Sequence, residues 1–300
     1  MSMSLTITGT GCPIPDANRA GPGALVRYDD ITLQFDAGRS TVQRLAGADV
    51  WIPDLSAVFI THHHSDHLTG LADVVLTHWV MDRTDAAPPL PVIAPAGPSA
   101  KYVSTLLDGW EDDIEVRAAH ARRETRPGFE LIAFEIPDSP TEVWRSGDVV
   151  VSAGQVRHEP CPNSVGYRID TPDGSVAITG DTRVCDEVAE LAEGVDVLVY
   201  EAMRFAFYDG MPPHRTFVRD YHADTFLIGK QAAKLGVSKL VLTHMIPPPN
   251  TDEDRQGFVD DIREGGYRGE VVVADDLYTT AVGDGGLADV RPVDQNAEQG

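Results

Sequence analysis

Apolar and polar positions alternate with a two-residue period early in the chain. The pattern predicts strands at 4–9, 24–28 and 31–36, separated by turn residues at Gly21-Pro22-Gly23 and Asp29-Asp30. A short helix follows Ser40. The compact apolar run "LSAVFIT" (55–61) predicts a buried strand, and a helix begins near Asp66 or His67. "PLPVIAP" (89–95) predicts another strand, and "SAKYVSTLLDGW" a helix with Ser99 near its start. Strands are expected on "IEVRAA" (114–119), "FELIAFEI" and "DVVVSAGQVRH" (148–158). "SVGYRID" and "SVAITGD" flank a Pro-Asp-Gly turn and predict a hairpin.

The rhythm then changes. Helices near 184–193, 223–236 and 252–264 alternate with the strands "VDVLVYE", "KLVLTH" and "GEVVVAD". No repeat of solenoid period and no low-complexity linker divides the chain. Hairpins in the first half argue against a fully parallel, doubly wound sheet. Two sheets packed face to face with helices outside fit the order better. We expect one domain over 1–283 and a loose, aperiodic tail over 284–300. The segment "VVLTHWVMDRTDAAPPLPV" (74–92) is expected to form a flexible rim near the site.

Composition narrows the function. Of the 300 residues, 42% are hydrophobic, ordinary for a globular protein. No window approaches the roughly 18 apolar residues of a membrane span. The start of the chain, "MSMSLTITGTG", lacks a signal peptide's basic and apolar regions. Cys12, Cys161 and Cys185 are scattered and read as free thiols of a reducing compartment, so a cytoplasmic location is expected. A formal net charge of −23 repels phosphate backbones and anionic membranes. The lysines number only four, Lys101, Lys230, Lys234 and Lys239, and form no basic patch.

The chemistry concentrates in "FITHHHSDHLTG" (59–70), directly behind an apolar strand. In extended backbone, His62 and His64 point to one side and His63 to the other. Asp66 and His67 follow where the chain bends into a helix. His158, Asp181 and His244 each close a further apolar run. Five imidazoles and two carboxylates are nitrogen and oxygen donors, suited to two Zn²⁺, with Mn²⁺ or Fe²⁺ as alternatives. We assign His62, His64 and His158 to one ion, Asp66, His67 and His244 to the other, and Asp181 to both. His78 and His120 read as surface or core-edge residues, and His214, in a Pro-flanked loop, as a pocket-rim candidate. Asp224 reads as the cap of the helix that follows it. The dinucleotide fingerprint, the P-loop, the G-x-S-x-G elbow and H-E-x-x-H are absent.

His-x-His-x-Asp-His followed by separate His, Asp and His resembles the metallo-β-lactamase superfamily. "TGTGCPIPDANRAGPGALV", "LQFDAGRSTVQRL", "VGYRID", "ITGDTRVCDEVAELAEGVDVLVYEA" and "YHADTFLIGKQAAKLGVSKLVLTHMIPP" resemble its ribonuclease Z group. The resemblance implies an α/β (α+β) fold, the four-layer αββα sandwich. It implies the seven ligands above, attack by a metal-bridging hydroxide, and a homodimer. It places Asp36 beneath the metal loop and His222 at the scissile phosphate. Glu201 matches the glutamate of the family's His-Glu-Ala-Thr box, and Asp66, His222 and Glu201 are the catalytic candidates.

Two departures matter. The box reads Tyr200-Glu201-Ala202-Met203, which puts its proton shuttle in question. Only "EPCPNSVGYRIDTPDGSVAITG" separates His158 from Asp181, leaving no room for the family's transfer-RNA-gripping arm. The sequence therefore reads as a phosphodiesterase acting on small phosphodiester or other ester substrates. True transfer-RNA 3′ processing is an alternative, as is arylsulfatase, lactonase or β-lactamase-type hydrolysis at the same site.

Overall fold

The structure, a computed structural model, describes residues 2–283. Among these residues, fourteen strands form two sheets of seven. The first sheet contains β1 (Met3–Gly9), β2 (Gly23–Tyr28), β3 (Ile31–Phe35), β4 (Ala57–Phe59), β5 (Leu90–Pro95) and β6 (Phe129–Phe134). The second contains β7 (Thr141–Ser146), β8 (Val149–Gln155), β9 (Val165–Thr171), β10 (Gly174–Ile178), β11 (Val197–Met203), β12 (Lys239–Ile246) and β13 (Glu270–Val273). The final strand, β14 (Thr279–Val282), returns to the first sheet and pairs antiparallel with β1. Both sheets are mixed: β1–β2–β3 and β7–β8–β9–β10 run as antiparallel ribbons, whereas β3–β4–β5–β6 and β10–β11–β12–β13 are parallel.

Side-chain alternation builds the layers. Met3, Leu5, Ile7, Phe35 and Phe59 of the first sheet meet Val151, Tyr167, Val197, Val199 and Val241 of the second in one central core. The intervening residues face outward. Val58, Ile60 and Val92 pack under helices Thr41–Gly47, Leu71–Met81 and Pro98–Ser104. Leu198, Tyr200, Leu240 and Leu242 pack under helices Asp186–Leu191, Thr225–Leu235 and Asp252–Glu264. This is the expected αββα sandwich. Among the described residues, no helix is long and apolar enough to cross a membrane.

Three local expectations change. "IEVRAA" is not a strand but part of helix Glu111–Ala121. Only Ile114 of this helix is buried, so it shows no apolar stripe, and Ile114 and Val116 mimic two-residue alternation. Acids fill its first turn, and Arg117 pairs with Asp113 one turn away at 2.8 Å. The segment 74–92 does not line the cavity beside the cluster described below. Val74, Val75, His78 and Trp79 form the buried face of helix Leu71–Met81, and Asp82 ties down the loop that follows through the backbone N–H groups of Thr84, Ala86 and Ala87. The run "KLVLTH" does not end at His244, because β12 continues to Ile246 through a bulge. The expected tail, 284–300, lies outside the described residues.

Candidate metal centre

The seven expected ligands converge where strands of both sheets end. β4 stops at Phe59, and the extended segment after it points His62 inward. The short helix Ser65–Leu68 then turns Asp66 and His67 to the same spot. This loop packs backbone against backbone: a Cβ on Gly70 would stand 2.1 Å from the carbonyl oxygen of Gly38. Asp181 follows Gly180, whose φ of +61° makes the turn beyond β10. His244 occupies the bulge of β12 with φ +45°, and the bulge re-aims its side chain.

The seven donors form two groups joined through Asp181, and Asp181 and His244 also group with His222. His62, His64, His158 and Asp181 place one donor atom each within 4.8 Å of one another, and Asp66, His67 and His244 do the same. Asp181 Oδ2 lies 3.8 Å from the Nε2 atoms of His62 and His158 and 3.4 Å from His244 Nε2. Its Oδ1 lies 3.3 Å from His67 Nε2. His158 Nε2 and His64 Nδ1 approach to 3.1 Å.

Neighbouring groups fix the tautomers. Asp36 accepts a hydrogen bond from His67 Nδ1 at 2.7 Å and from the Thr61 N–H and hydroxyl at 2.8 Å each. With its proton committed to Asp36, Thr61 Oγ1 accepts from His62 Nδ1 at 2.9 Å. The Tyr221 carbonyl accepts from His158 Nδ1 at 2.8 Å. His62 and His158 thus each direct a lone pair on Nε2 into the cluster. Burial lowers the pKa of His67, but Asp181 and Asp36 outweigh it and hold it well above the ordinary value, so its Nε2, aimed at Asp181, would release a proton on binding a cation. Burial first, then the neighbouring imidazoles, lowers the pKa of His62 well below the ordinary value and that of His64 to about 4. Both are neutral and able to ligate. For Asp181, burial favours the neutral acid, but His244 and His67 outweigh it and hold the carboxyl well below its usual range.

His62 Nε2, His67 Nε2 and Asp181 Oδ1 are buried with no hydrogen-bond partner among the described residues. Buried polar atoms rarely stay unpaired, because desolvation without compensation is costly. Orphaned donors of this type, aimed at common points, fit divalent cations.

His222 and Glu201 stand beside the cluster. His222 Nδ1 donates to Glu201 Oε1 at 2.8 Å, and the same oxygen accepts from the backbone N–H groups of Thr182 (3.0 Å) and Ala223 (3.3 Å). Burial alone would lower the pKa of His222, but the charge and hydrogen bond of Glu201 raise it to about 9. Tyr200 points the other way along β11 and donates to Gln231 Oε1 at 3.0 Å, so this departure from the family box falls outside the site. Asp224 occupies the N-cap position of helix Thr225–Leu235, but its side chain makes no capping hydrogen bond there.

Other histidines separate cleanly. His63 turns away and lies 3.2 Å from the Cys161 thiol. His78 is buried in the helical layer, and His120 is exposed. His214 is exposed on the short helix Pro213–Thr216, and the cavity described next is lined without it. Sequence reasoning missed Thr61 and Tyr221. Thr61 adjoins the histidine run and was open to notice, whereas Tyr221 acts through its carbonyl and carries no residue-type signal. A cavity of about 380 Å³ opens onto His64, Asp66, Asp181 and His222, with Cys12, Ile14, Tyr208, Val218, Tyr221 and Ile246 in its walls.

Two seven-stranded sheets between helices, with His and Asp clusters at their shared edge, define a metal-dependent hydrolase of the metallo-β-lactamase fold. The β-lactamase superfamily domain matches residues 31–245. Curated relatives named ribonuclease Z match almost end to end. The one from Mycolicibacterium gilvum is 34% identical over 283 residues, covering 93% of this chain and 96% of its own length. That from Mycobacterium avium is 36% identical over 282 residues, covering 93% and 98%. Solved structures share the fold: Bacillus subtilis YhfI, a metallo-β-lactamase fold protein, has a TM-score of 0.70 at 23% identity, covering 94% of this chain and all of its own. Human tRNase Z, short form, has a TM-score of 0.65 at 21% identity, covering 93% and 99%. The chain belongs to the β-lactamase superfamily and, within it, to the ribonuclease Z-like proteins.

Proposed function

We propose that this chain is a phosphodiesterase that works with two divalent cations, zinc being the best match to its donors. His62, His64 and His158 hold one ion, Asp66, His67 and His244 the other, and Asp181 both. The observation that carries the reading is the convergence of all seven side chains from four separate chain segments, with His62 Nε2, His67 Nε2 and Asp181 Oδ1 buried and unpaired. When bound, such ions supply Lewis acidity and lower the pKa of water.

The protein's own groups supply the rest. Asp36 and Thr61 orient His67 and His62, and the Tyr221 carbonyl orients His158. Glu201 keeps His222 protonated at neutral pH with Nδ1 committed, so Nε2–H is the proton offered to the phosphoryl or leaving oxygen. Cys12, Ile14, Val218 and Ile246 give the cavity an apolar side. The unpaired cysteines support a cytoplasmic setting.

A second reading, 3′ processing of transfer RNA, is favoured by the name the mycobacterial relatives carry. The missing arm does not separate this chain from them, since the aligned length leaves no room for a long insertion there. The charge of −23 weighs the other way. Turnover by the purified, metal-quantified protein decides. We expect hydrolysis of bis(4-nitrophenyl) phosphate ahead of sulfate esters and lactones. Inactivity on every phosphodiester, precursor transfer RNA included, refutes the proposal.

A further inference from the structure

The segment between β11 and helix Thr225–Leu235 is unusually aromatic: "RFAFYDGMPPHRTFVRDY" carries Phe205, Phe207, Tyr208, Phe217 and Tyr221. Tyr208 and Tyr221 line the cavity beside the metal centre. Each is only part-buried and has an exposed phenylalanine against it, Phe207 at 5.3 Å and Phe217 at 6.1 Å between ring centroids. Exposing two such rings beside a catalytic centre costs hydration free energy and serves no core.

Both tyrosines are held in place. The Tyr221 ring packs edge-on against the ring of His158 at 5.4 Å and tilts against His222 at 4.8 Å, while its carbonyl orients His158. Arg219 donates to the Phe205 carbonyl and to Asp209 Oδ1, and its guanidinium sits 6.0 Å from the Tyr208 ring. Arg219 is therefore spent on anchoring the segment, as Arg204 is on Asp261, while Arg215 is exposed outside the cavity lining. No lysine or arginine lines the cavity. Its floor is the ligand cluster with His222 beside it, and the rest of its wall is neutral, so a substituent directed away from His222 meets rings and aliphatic side chains.

From this we infer that the cavity selects phosphodiesters bearing a neutral planar ring, an unstacked nucleobase or an aryl group, and that Tyr208 and Tyr221 determine that selectivity by stacking. Aromatic stacking recognises any base through its face and needs no basic groove, which suits a chain this acidic. The inference rests on the phosphodiesterase reading for its substrate class.

The test uses the full, metal-loaded chain and dinucleoside monophosphates with both bases or with one abasic position. The intact compound should have a kcat/KM on the order of ten-fold higher than the abasic one. Tyr208→Leu and Tyr221→Leu should shrink that ratio, mainly through KM, and Tyr208→Phe should restore it. Equal rates on intact and abasic compounds overturn the inference, as does a ratio untouched by both leucine variants. So does a preference that decays with added salt as steeply as phosphate contacts do. A binding arm separates this from failure of the phosphodiesterase reading. 2-Aminopurine riboside 5′-monophosphate titrated onto the protein should be quenched by stacking even if nothing turns over, and absence of quenching overturns the inference. Displacement by phenyl phosphate assigns the site to aryl rings in general; its failure assigns it to nucleobases.

Discussion

His222 Nδ1 sits 2.8 Å from Glu201 Oε1, and that one hydrogen bond sets the charge of the imidazole beside the metal cluster. Burial disfavours the imidazolium, yet Glu201 raises the pKa to about 9. A raised pKa means that the pair's stabilisation is complete below the unfolded value of about 6.5 and is lost as pH climbs through about 9. In metal-free protein followed by NMR, Glu201→Gln should lower the titration midpoint of His222. An unmoved midpoint would show that Glu201 does not govern that proton.

Removing the imidazole tests the role itself. His222→Ala should keep both metals and lose about 10²–10⁴-fold in kcat on bis(4-nitrophenyl) phosphate, the range for a positioned acid. Full turnover in that variant removes His222 from the reaction.

Asp181 touches both donor groups, so its loss should be felt by both ions. Asp181→Ala should bind less than two metals per chain and lose activity in parallel, measured by elemental analysis beside turnover. An unchanged stoichiometry of two contradicts the shared assignment.

Asp36 offers a subtler probe. It has φ +54°, a conformation that Asn tolerates well, so Asp36→Asn preserves the backbone while replacing a charged acceptor for His67 and Thr61 by an amide. Metal affinity should fall about 10–100-fold with little change in the thermal midpoint of the chelated protein. Unaltered affinity in a competition titration with a chromogenic chelator would exclude the orienting role.

Between the sheets, the Tyr167 hydroxyl donates to the Ile60 carbonyl at 2.7 Å, just before the metal loop. Tyr167→Phe leaves that buried acceptor unpaired and should cost about 1–3 kcal/mol, read as a lower urea midpoint at constant m-value. A wild-type midpoint would mean that the carbonyl finds another donor.

The residues that carry chemistry were legible because metal chemistry demands particular side chains at particular spacings. "THHHSDH" presents alternating imidazoles and then a helical pair, and His158 and Asp181 follow apolar runs long enough to read as strands. The layered fold was legible too, since two-residue alternation along β1, β3, β11 and β12 assigns one face to the central core and the other to helices. Reading failed where burial, not local pattern, decides. Helix Glu111–Ala121 buries only Ile114, so its periodicity carried no helical signal. His244 sits in a bulge that only pairing with β11 reveals.

Sequence alone thus determined which atoms can hold metal and the order in which strands deliver them, because both are properties of residue type and short-range spacing. Tertiary structure decided how those atoms are aimed. The tautomers of His67 and His158, the proton on His222 and the tyrosine-walled cavity all depend on partners 20 to 60 or more positions away, such as Asp36 for His67, Glu201 for His222 and the Tyr221 carbonyl for His158. No local pattern encodes such distances, because they arise only when two sheets close on a common core.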